Sequence, residues 1–531
     1  MVLKGLAQDG GLFIPEEIPR LPDDWLHWRD LPFSDLAFNI ISLYVPTEVV
    51  PHQELRDIIN RSYSGFRSIR TTPLIPLVPE KCLFLLELFH GPTLAFKDVA
   101  LQFLGNLFEF FLKRRNQNGG VGRLHLTVIG ATSGDTGSAA IHGLRGKKDV
   151  SIFMLHPRGK VSPVQEAQMT TVLDDNVHNL AVEGTFDDCQ DMVKALFADP
   201  TINKAYSLAA VNSINWARIL AQITYYFSAY FQLLETKNSD GKVPLRVKFV
   251  VPTGNFGDVL AGYFAKAMGL PIEQLIVATN ENDILTRFWK TGRYEKRPVH
   301  GQDATGGITA DGVQAHEAGV KETLSPAMDI LVSSNFERLL WYLSYQEHGS
   351  HGLVESRRQA ASDDVRQWLN CLKTDGGFTV DAALLDAARR DFMAERTTDS
   401  ETLRTIKDIY LSAPAQVATR EAGYVLDPHS AIGVAVALKS IQQHQPISTD
   451  VFHVCLATAH PAKFANAVEL ALQDQQDFNF DQITPEQIRA LQGLPRKITQ
   501  VPKDAALPDF RRIIEAGVNA ERGAIALMEK V

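Results

Sequence analysis

The chain has 531 residues, of which 45% are hydrophobic and 22% are charged, so it can bury more than one apolar core. Its net charge of −9 comes from 53 basic and 62 acidic side chains, and the basic residues form no block. Binding to nucleic acid is not predicted, because such an interface needs a basic stripe.

The sequence carries no signal of a membrane or secreted protein. Its richest apolar segment, residues 99–112, is interrupted by Gln102, Asn106 and Glu109 before it reaches the length of a membrane span. The N-terminal residues do not resemble a signal peptide. The cysteines lie far apart, with neither CxxC nor zinc-site spacing. We therefore expect a cytoplasmic protein in a reducing compartment, with no metal and no membrane partner.

Strand and helix patterns alternate along the chain. Apolar residues recur at helical spacing after Lys97, and glycine-bearing loops at residues 130–137 and 252–258 each lie between a predicted strand and a predicted helix. The predicted strands lie at residues 124–129, 150–155, 247–251, 275–278 and 451–456. This order predicts an α/β fold with parallel-rich sheets, in which ligands bind at the carboxyl ends of the strands.

The loop at residues 252–258 is the first candidate for an anion site. Gly254 and Gly257 precede a predicted helix, whose first backbone N–H groups bind phosphate without a basic side chain. The loop has neither the P-loop sequence nor the Gly-x-Gly-x-x-Gly spacing of a dinucleotide site. On these glycines alone, a plain tight turn with Asp258 as a helix cap is the simpler interpretation.

The loop at residues 130–137 is the second candidate. The hydroxyl groups of Thr132, Ser133 and Thr136 can donate hydrogen bonds, and the loop's glycines open its backbone. A substrate carboxylate would suit this loop. The alternative is a capped helix start, with Ser133 or Asp135 as the cap.

Lys97 and Thr458 are two further candidates. The neighbours of Lys97 are apolar, and burial would lower its pKa and make it a nucleophile or a proton carrier, although most lysines are solvated. Thr458 follows an apolar strand, and its hydroxyl would bond either to local backbone or to a cofactor ring nitrogen. At the ends of strands, these residues would supply an amine, two anion sites and a hydroxyl that can bond to a ring nitrogen. Together they suit pyridoxal phosphate (PLP), which has an aldehyde, a phosphate and a ring nitrogen.

Several long segments resemble motifs of the threonine synthase family, in the family's order. They lie at residues 90–98, 131–137, 156–163, 212–218, 254–258 and 458–464. The resemblance extends from residue 3 to beyond residue 480 and is greatest to the longer, fungal-type branch. Because so many long motifs in order are specific, the chain is identified as a member of this family.

The resemblance implies fold type II of the PLP enzymes, which is tryptophan synthase β-like. We expect an N-terminal domain at residues 1–90, a small α/β domain at residues 91–240 with Lys97 and the substrate loop, and a large α/β domain at residues 241–531 with the phosphate loop. Family members begin with a further segment that has a Thr-Arg-Gly-type motif, so the first domain is expected to be truncated at its start.

The resemblance also implies roles for individual residues. Lys97 would be the catalytic residue and bind PLP covalently, and Thr458 would face the pyridine nitrogen. The residues around the cofactor phosphate would be Gly254, Asn255, Phe256, Gly257 and Asp258. The residues around the substrate α-carboxylate would be Thr132, Ser133, Gly134, Asp135 and Thr136. The candidates for the substrate phosphate, which needs charge-assisted donors, are Arg158, Lys160, Asn215 and Arg218.

The implied reaction is that of a PLP-dependent carbon–oxygen lyase acting on phosphates, which converts O-phospho-L-homoserine and water to L-threonine and phosphate. Lys97 would remove an α-proton and then a β-proton, phosphate would leave from the γ-carbon, and water would add at the β-carbon. Two alternatives stay open, a related phospho-lyase acting on another phosphorylated amine and a non-catalytic scaffold protein. The sequence does not distinguish a monomer from a homodimer.

Overall fold

The computed structural model describes residues 5–7, 10–117, 123–237, 239–296, 319–349, 353–412, 423–443 and 450–528. The strands are β1 (Leu74–Val78), β2 (Leu83–Glu87), β3 (Leu126–Ala131), β4 (Val150–Pro157), β5 (Val177–Val182), β6 (Leu208–Ala209), β7 (Arg246–Pro252), β8 (Ile272–Thr279), β9 (Arg293–Glu295), β10 (Gly377–Thr379), β11 (Phe392–Arg396), β12 (Val451–Ala457) and β13 (Thr499–Val501).

Helices cover both faces of the main sheets. They are α1 (Phe33–Ser42), α2 (His52–Tyr63), α3 (Lys97–Gln117), α4 (Asp135–Leu144), α5 (Pro163–Thr170), α6 (Phe186–Ala198), α7 (Pro200–Tyr206), α8 (Trp216–Thr236), α9 (Gly257–Met268), α10 (Ile284–Thr291), α11 (Phe336–Glu347), α12 (Val354–Thr374), α13 (Ala382–Asp391), α14 (Asp399–Ser412), α15 (Pro428–Gln442), α16 (Ala465–Leu472), α17 (Phe480–Ile483), α18 (Glu486–Arg489) and α19 (Leu507–Met528).

The described strands form two main sheets and one small one. The larger sheet has six strands in the order β1-β2-β12-β7-β8-β11, and the second has five in the order β13-β5-β4-β3-β6. All neighbours in these two sheets are parallel except β1 and β2, which form an antiparallel pair. Strands β9 and β10 form the small antiparallel sheet. The mixed α/β class with parallel-rich sheets is therefore confirmed.

Each main sheet draws on more than one of the predicted domains, whose boundaries stay a prediction. Strands β1 and β2 lie within residues 1–90, where no strand was predicted, and belong to the six-stranded sheet. Every residue of β2 is buried, and a strand with four consecutive apolar residues needs cover on both faces. Strand β13, predicted in the large domain at residues 241–531, pairs instead with β5 of the second sheet. Each sheet therefore combines segments that are distant in the chain.

Helix α8 is the central helix of the fold. Its residues from Trp216 to Leu234 are all buried, and its apolar side chains face several directions, as expected for a core helix rather than a surface one. It packs against α1, α3 and α9. One continuous apolar core includes side chains of α8 and of both main sheets.

The described part of the chain includes no helix that is both long and apolar enough to cross a membrane. In the same residues, no three His, Cys, Asp or Glu side chains lie where they could jointly bind a metal ion.

Candidate active site

A cavity of about 1930 Å³ opens at the carboxyl ends of β3, β7 and β12. Its lining includes Thr132 after β3, Thr253 after β7 and Thr458 after β12. This is where ligands bind in parallel α/β sheets. The cavity also brings together Lys97 and the two predicted anion loops, as the sequence motifs require.

Lys97 is the first residue of α3 and is 9% exposed. The segment before it is fixed by a backbone hydrogen bond of 2.8 Å from Phe96 to the carbonyl of Thr458. The next residue, Asp98, accepts hydrogen bonds from the backbone N–H and the hydroxyl of Thr93, at 2.8 and 2.7 Å. Burial lowers the pKa of the Lys97 amine, as predicted for a nucleophile or proton carrier.

The carboxylate of Asp135 lies between two lysines. Its Oδ2 is 3.6 Å from Nζ of Lys97, and its Oδ1 is 2.6 Å from Nζ of Lys463. Gln165 also donates a hydrogen bond of 2.8 Å to Oδ1. Burial opposes ionisation of Asp135, but the charges of both lysines hold the pKa of its carboxyl far below the ordinary range. Lys463 and Gln165 were not among the predicted site residues, although Lys463 lies within the motif at residues 458–464.

The loop at residues 130–137 is held in shape by Thr132. The Thr132 hydroxyl oxygen accepts hydrogen bonds from the N–H groups of Gly134 and Gly137, at 3.0 and 2.8 Å. Gly134 has a φ of 141°, and a Cβ there would lie 2.7 Å from Nε2 of Gln165, so a side chain is excluded. Helix α4 begins at Asp135, directly after this turn, so its first N–H groups lack intrahelical acceptors. The exposed Ser133 and the half-buried Thr136 both line the cavity.

The loop at residues 254–258 is braced from behind by residues 327–335. Ser333 donates a hydrogen bond of 2.7 Å to the carbonyl of Gly254, and Asn335 donates one of 2.8 Å to the carbonyl of Asn255. Phe256 adopts a left-handed conformation with φ of 61° and is 1% exposed, because its ring packs among aromatic side chains. Helix α9 starts at the next residue, so its first N–H groups and its positive dipole end lie at the cavity.

Asp258 directs one carboxylate oxygen toward two buried tyrosines of α8. Its Oδ1 accepts hydrogen bonds from the hydroxyls of Tyr225 and Tyr226, at 2.5 and 2.9 Å. Its Oδ2 is buried and has no hydrogen-bond partner among the described residues. Burial outweighs the two tyrosine hydrogen bonds and raises the pKa of Asp258 to about 6.

Thr458 is 6% exposed and lines the cavity. Its N–H donates to the hydroxyl oxygen of Ser430 at 3.2 Å, and that hydroxyl donates in turn to Asp427. His429 shares Asp427 through Nδ1 at 2.9 Å and accepts the N–H of Ala327 on Nε2 at 3.2 Å. This network was not predicted, although an Asp followed by Pro before an apolar run marks the start of α15.

Two of the four candidates for binding the substrate phosphate line the cavity in the structure, and two do not. Arg158 is exposed, pairs with Glu183 at 2.7 Å and does not line the cavity. Asn215 is fully buried and caps α8 by accepting the N–H of Ala217 at 3.1 Å. Lys160 and Arg218 both line the cavity.

Arg218 is a buried cation with unused hydrogen-bonding capacity. It is 4% exposed, and its Nη1 donates to the carbonyl of Val211 at 2.9 Å. Its Nε has no hydrogen-bond partner in the described part of the chain. Burial lowers the pKa of this guanidinium to about 10, so it still carries its charge at neutral pH. Arg218 therefore places a positive charge at the cavity wall with one buried donor unused.

These residues fit PLP. The Lys97 amine suits its aldehyde, the start of α9 suits its phosphate, and Thr458 offers a hydroxyl at a third point of the same cavity. Gly254 allows the loop at residues 254–258 to lie close to the backbone of Ala327, since a Cβ on Gly254 would lie 3.0 Å from the carbonyl oxygen of Ala327.

Comparison with known families agrees with this geometry. Residues 66–330 match the family described as pyridoxal-phosphate dependent enzyme. The chain is thus an enzyme of PLP fold type II, and its cofactor is pyridoxal 5'-phosphate. Residues 1–63 match the threonine synthase N terminus, and residues 430–514 match the threonine synthase C-terminal family. The chain belongs to the threonine synthase family of PLP-dependent lyases.

Individual relatives are similar over nearly their whole length. A threonine synthase of Schizosaccharomyces pombe is 55% identical over 91% of this chain and 88% of its own. The crystal structure of threonine synthase from yeast superposes with a TM-score of 0.86 at 48% identity, covering 98% of this chain and 95% of that chain. A PLP-bound threonine synthase from Brucella melitensis gives a TM-score of 0.79 at 40% identity, covering 97% and 95%.

Proposed function

We propose that this chain converts O-phospho-L-homoserine and water to L-threonine and phosphate. The observation that carries the proposal is the buried amine of Lys97 in a cavity that both anion loops line. One loop suits the substrate carboxylate and the other suits the cofactor phosphate, so the substrate's reacting carbons lie near the amine. When bound, PLP acts as an electron sink for negative charge at the substrate carbons.

Lys97 is the proton carrier of the reaction. Its lowered pKa favours the neutral amine, which can accept a proton from carbon and return it. The α-, β- and γ-carbons are neighbours, so one amine on a flexible four-carbon side chain serves them in turn. One proton taken from carbon returns at the γ-carbon after phosphate has left. Water supplies the hydroxyl at the β-carbon, and a second proton returns to the α-carbon.

The substrate's two anionic groups bind at different places. The hydroxyls of Ser133 and Thr136 and the first N–H groups of α4 hold the α-carboxylate. Lys160 and Arg218 hold the substrate phosphate, since both are cations on the cavity wall. Arg158 and Asn215 take no part, because one is paired with Glu183 outside the cavity and the other is used in capping α8.

The decisive experiment supplies O-phospho-L-homoserine to the PLP-loaded protein and measures threonine and phosphate together. We expect the two products in equal amounts, and none from Lys97→Ala with its circular dichroism unchanged. Lys242→Ala is the control, because that lysine is 84% exposed, pairs with Asp240 at 3.1 Å and does not line the cavity. Phosphate release without threonine would contradict the proposal.

We also propose that the chain acts in the cytoplasm. All four cysteines are free thiols, and Cys82, Cys189 and Cys455 are buried, as suits a reducing compartment.

A further inference from the structure

Asp135 is shared unequally by the two lysines beside it. Lys463 approaches Oδ1 to 2.6 Å, whereas Lys97 lies 3.6 Å from Oδ2. Hydrogen bonding is strong at the first distance and weak at the second. Lys463 is therefore the primary partner of this carboxylate.

Lys463 is fixed in place and closed to solvent. Its side chain is 0% exposed, and its ammonium also donates a hydrogen bond of 2.7 Å to the carbonyl of Thr93. It ends the short turn at residues 461–463, directly after the segment that carries Thr458. A buried ammonium is retained only when it is paired and hydrogen-bonded, so the contact with Asp135 is an integral part of this site.

The charges around the Lys97 amine come from several elements. Asp135 on α4 favours the protonated amine, whereas Lys463 and Arg218 on α8 disfavour it. Asp258 on α9 also interacts with Lys97, but burial favours its neutral form. Asp98, on α3 itself, is turned to Thr93. Protonation of Lys97 would thus add a positive charge beside Lys463, which already neutralises Asp135 at the shorter distance.

We propose that Lys463 keeps Lys97 in its neutral amine form by occupying the carboxylate of Asp135. Lys463 is thereby a positioning residue that acts through Asp135. The inference rests on the proposed function in one respect, since a neutral amine matters because Lys97 must accept a proton from the substrate. It also explains why a carboxylate is tolerated within the loop at residues 130–137, which binds the substrate's own carboxylate.

The test measures the protonation of Lys97 directly. In the full-length apoprotein, Lys97 is methylated with formaldehyde and cyanoborohydride at a series of pH values, and its peptide is followed by mass spectrometry. Lys463→Met leaves Asp135 to pair with Lys97 alone. We expect the midpoint of labelling to rise by about one pH unit or more, which means about tenfold slower labelling at a fixed pH below the midpoint.

Two further variants complete a charge cycle. Asp135→Asn removes the carboxylate and is expected to move the midpoint down, so it tests the inference even if Lys463→Met fails to fold. The double variant Asp135→Asn with Lys463→Met removes both charges and is expected to return the midpoint toward that of the parent protein. Lys147→Met is the matched control, because Lys147 is also a largely buried lysine, paired with Glu109 at 3.6 Å outside the cavity. It should leave the Lys97 midpoint unchanged.

A second readout uses the PLP-loaded enzyme. The acid limb of kcat for O-phospho-L-homoserine is expected to move to higher pH in Lys463→Met, because Lys97 is a free amine only in the substrate complex, which kcat reports. A variant with lower thermal stability but an unchanged labelling midpoint would overturn the inference and reduce Lys463 to a structural role. Because labelling needs no turnover, a parent protein that made no threonine would refute the proposed function while leaving this inference intact.

Discussion

Arg338 donates a hydrogen bond of 2.8 Å from Nη2 to the carbonyl oxygen of Ile214, a residue of the cavity wall. The same guanidinium, 1% exposed, donates to the carbonyl of Phe13 at 2.9 Å and to the side chain of Asn335 at 2.5 Å. Asn335 donates in turn to the carbonyl of Asn255 in the phosphate loop. One buried cation thus ties the N-terminal segment to two parts of the active site.

Replacing Arg338 by Met should destabilise the protein and weaken its hold on PLP. Three acceptors would lose their donor, and each unpaired buried acceptor costs about 1–3 kcal/mol, so we expect a loss of about 3 kcal/mol or more in the free energy of unfolding. Urea unfolding and PLP titration would measure both effects. Arg366→Met is the control, because that side chain is 65% exposed and its pair with Asp363 is a surface one. Equal effects of the two variants would contradict this account.

Gly254→Ala and Gly257→Ala should differ although they lie in one loop. A Cβ on Gly254 would lie 3.0 Å from the carbonyl oxygen of Ala327 and 3.1 Å from Cα of Met328, and both are backbone atoms. A Cβ on Gly257 would lie 3.5 Å from its nearest neighbour, an ordinary contact. We expect the apoprotein to lose about 1–2 kcal/mol with the first change and to be almost unaffected by the second. Denaturant unfolding of both apoproteins decides the matter.

Asp258→Asn should remove a pH-dependent cost to stability. Burial raises the pKa of Asp258 from 3.8 to about 6 in the folded state, so the folded protein binds this proton more tightly than the unfolded chain does. The stability that this group contributes is complete below about pH 4 and is lost as pH rises toward about 6. Asparagine keeps an Oδ1 for the hydroxyls of Tyr225 and Tyr226 and has no proton to lose.

The quantity to measure is therefore the difference in unfolding free energy between Asp258→Asn and the parent apoprotein at each pH. This difference should change in favour of the variant by about 2–3 kcal/mol between pH 4 and pH 7, since one pKa unit corresponds to about 1.4 kcal/mol. A difference that stays constant with pH would show that Asp258 is ionised without penalty.

Gly105→Ala should separate two helices that position the site. Helix α3, which starts with Lys97, crosses α4 so closely that a Cβ on Gly105 would lie 2.7 Å from the carbonyl carbon of Gly143. Because backbone cannot move aside as a side chain can, we expect a loss of about 3 kcal/mol. Gly130→Ala is the comparison, since its Cβ would meet only the flexible end of Met154. Thermal unfolding should show the larger decrease for Gly105→Ala.

Much of the fold follows from apolar patterns in the sequence. The helix predicted after Lys97 is α3, and the strands predicted at residues 150–155, 247–251 and 451–456 lie within β4, β7 and β12. The strand predicted at residues 124–129 is displaced by two residues in β3, because periodicity marks burial and not the ends of a hydrogen-bonded ladder. Sheet membership was less predictable, since a short edge strand such as β13 gives almost no apolar signal.

The candidate site was likewise predictable only in part. Lys97, Thr458 and both loops converge on one cavity as their motifs imply, although their individual roles stay predictions. Lys463 was within a quoted motif, but its importance depends on Asp135, a residue far away in the chain. Asn215 was a candidate ligand because it lies in a motif, but in the structure it caps α8. An asparagine directly before a helix is more often a cap than a ligand.

The place of β12 in the larger sheet has a consequence for biosynthesis. This strand, residues 451–457, lies between β2 and β7, which precede it by hundreds of residues. Until it leaves the ribosome, β2 and β7 each present an apolar edge without a neighbour, and such edges promote aggregation. The nascent polypeptide is therefore vulnerable until residues 451–457 have been synthesised, or depends on a chaperone until then.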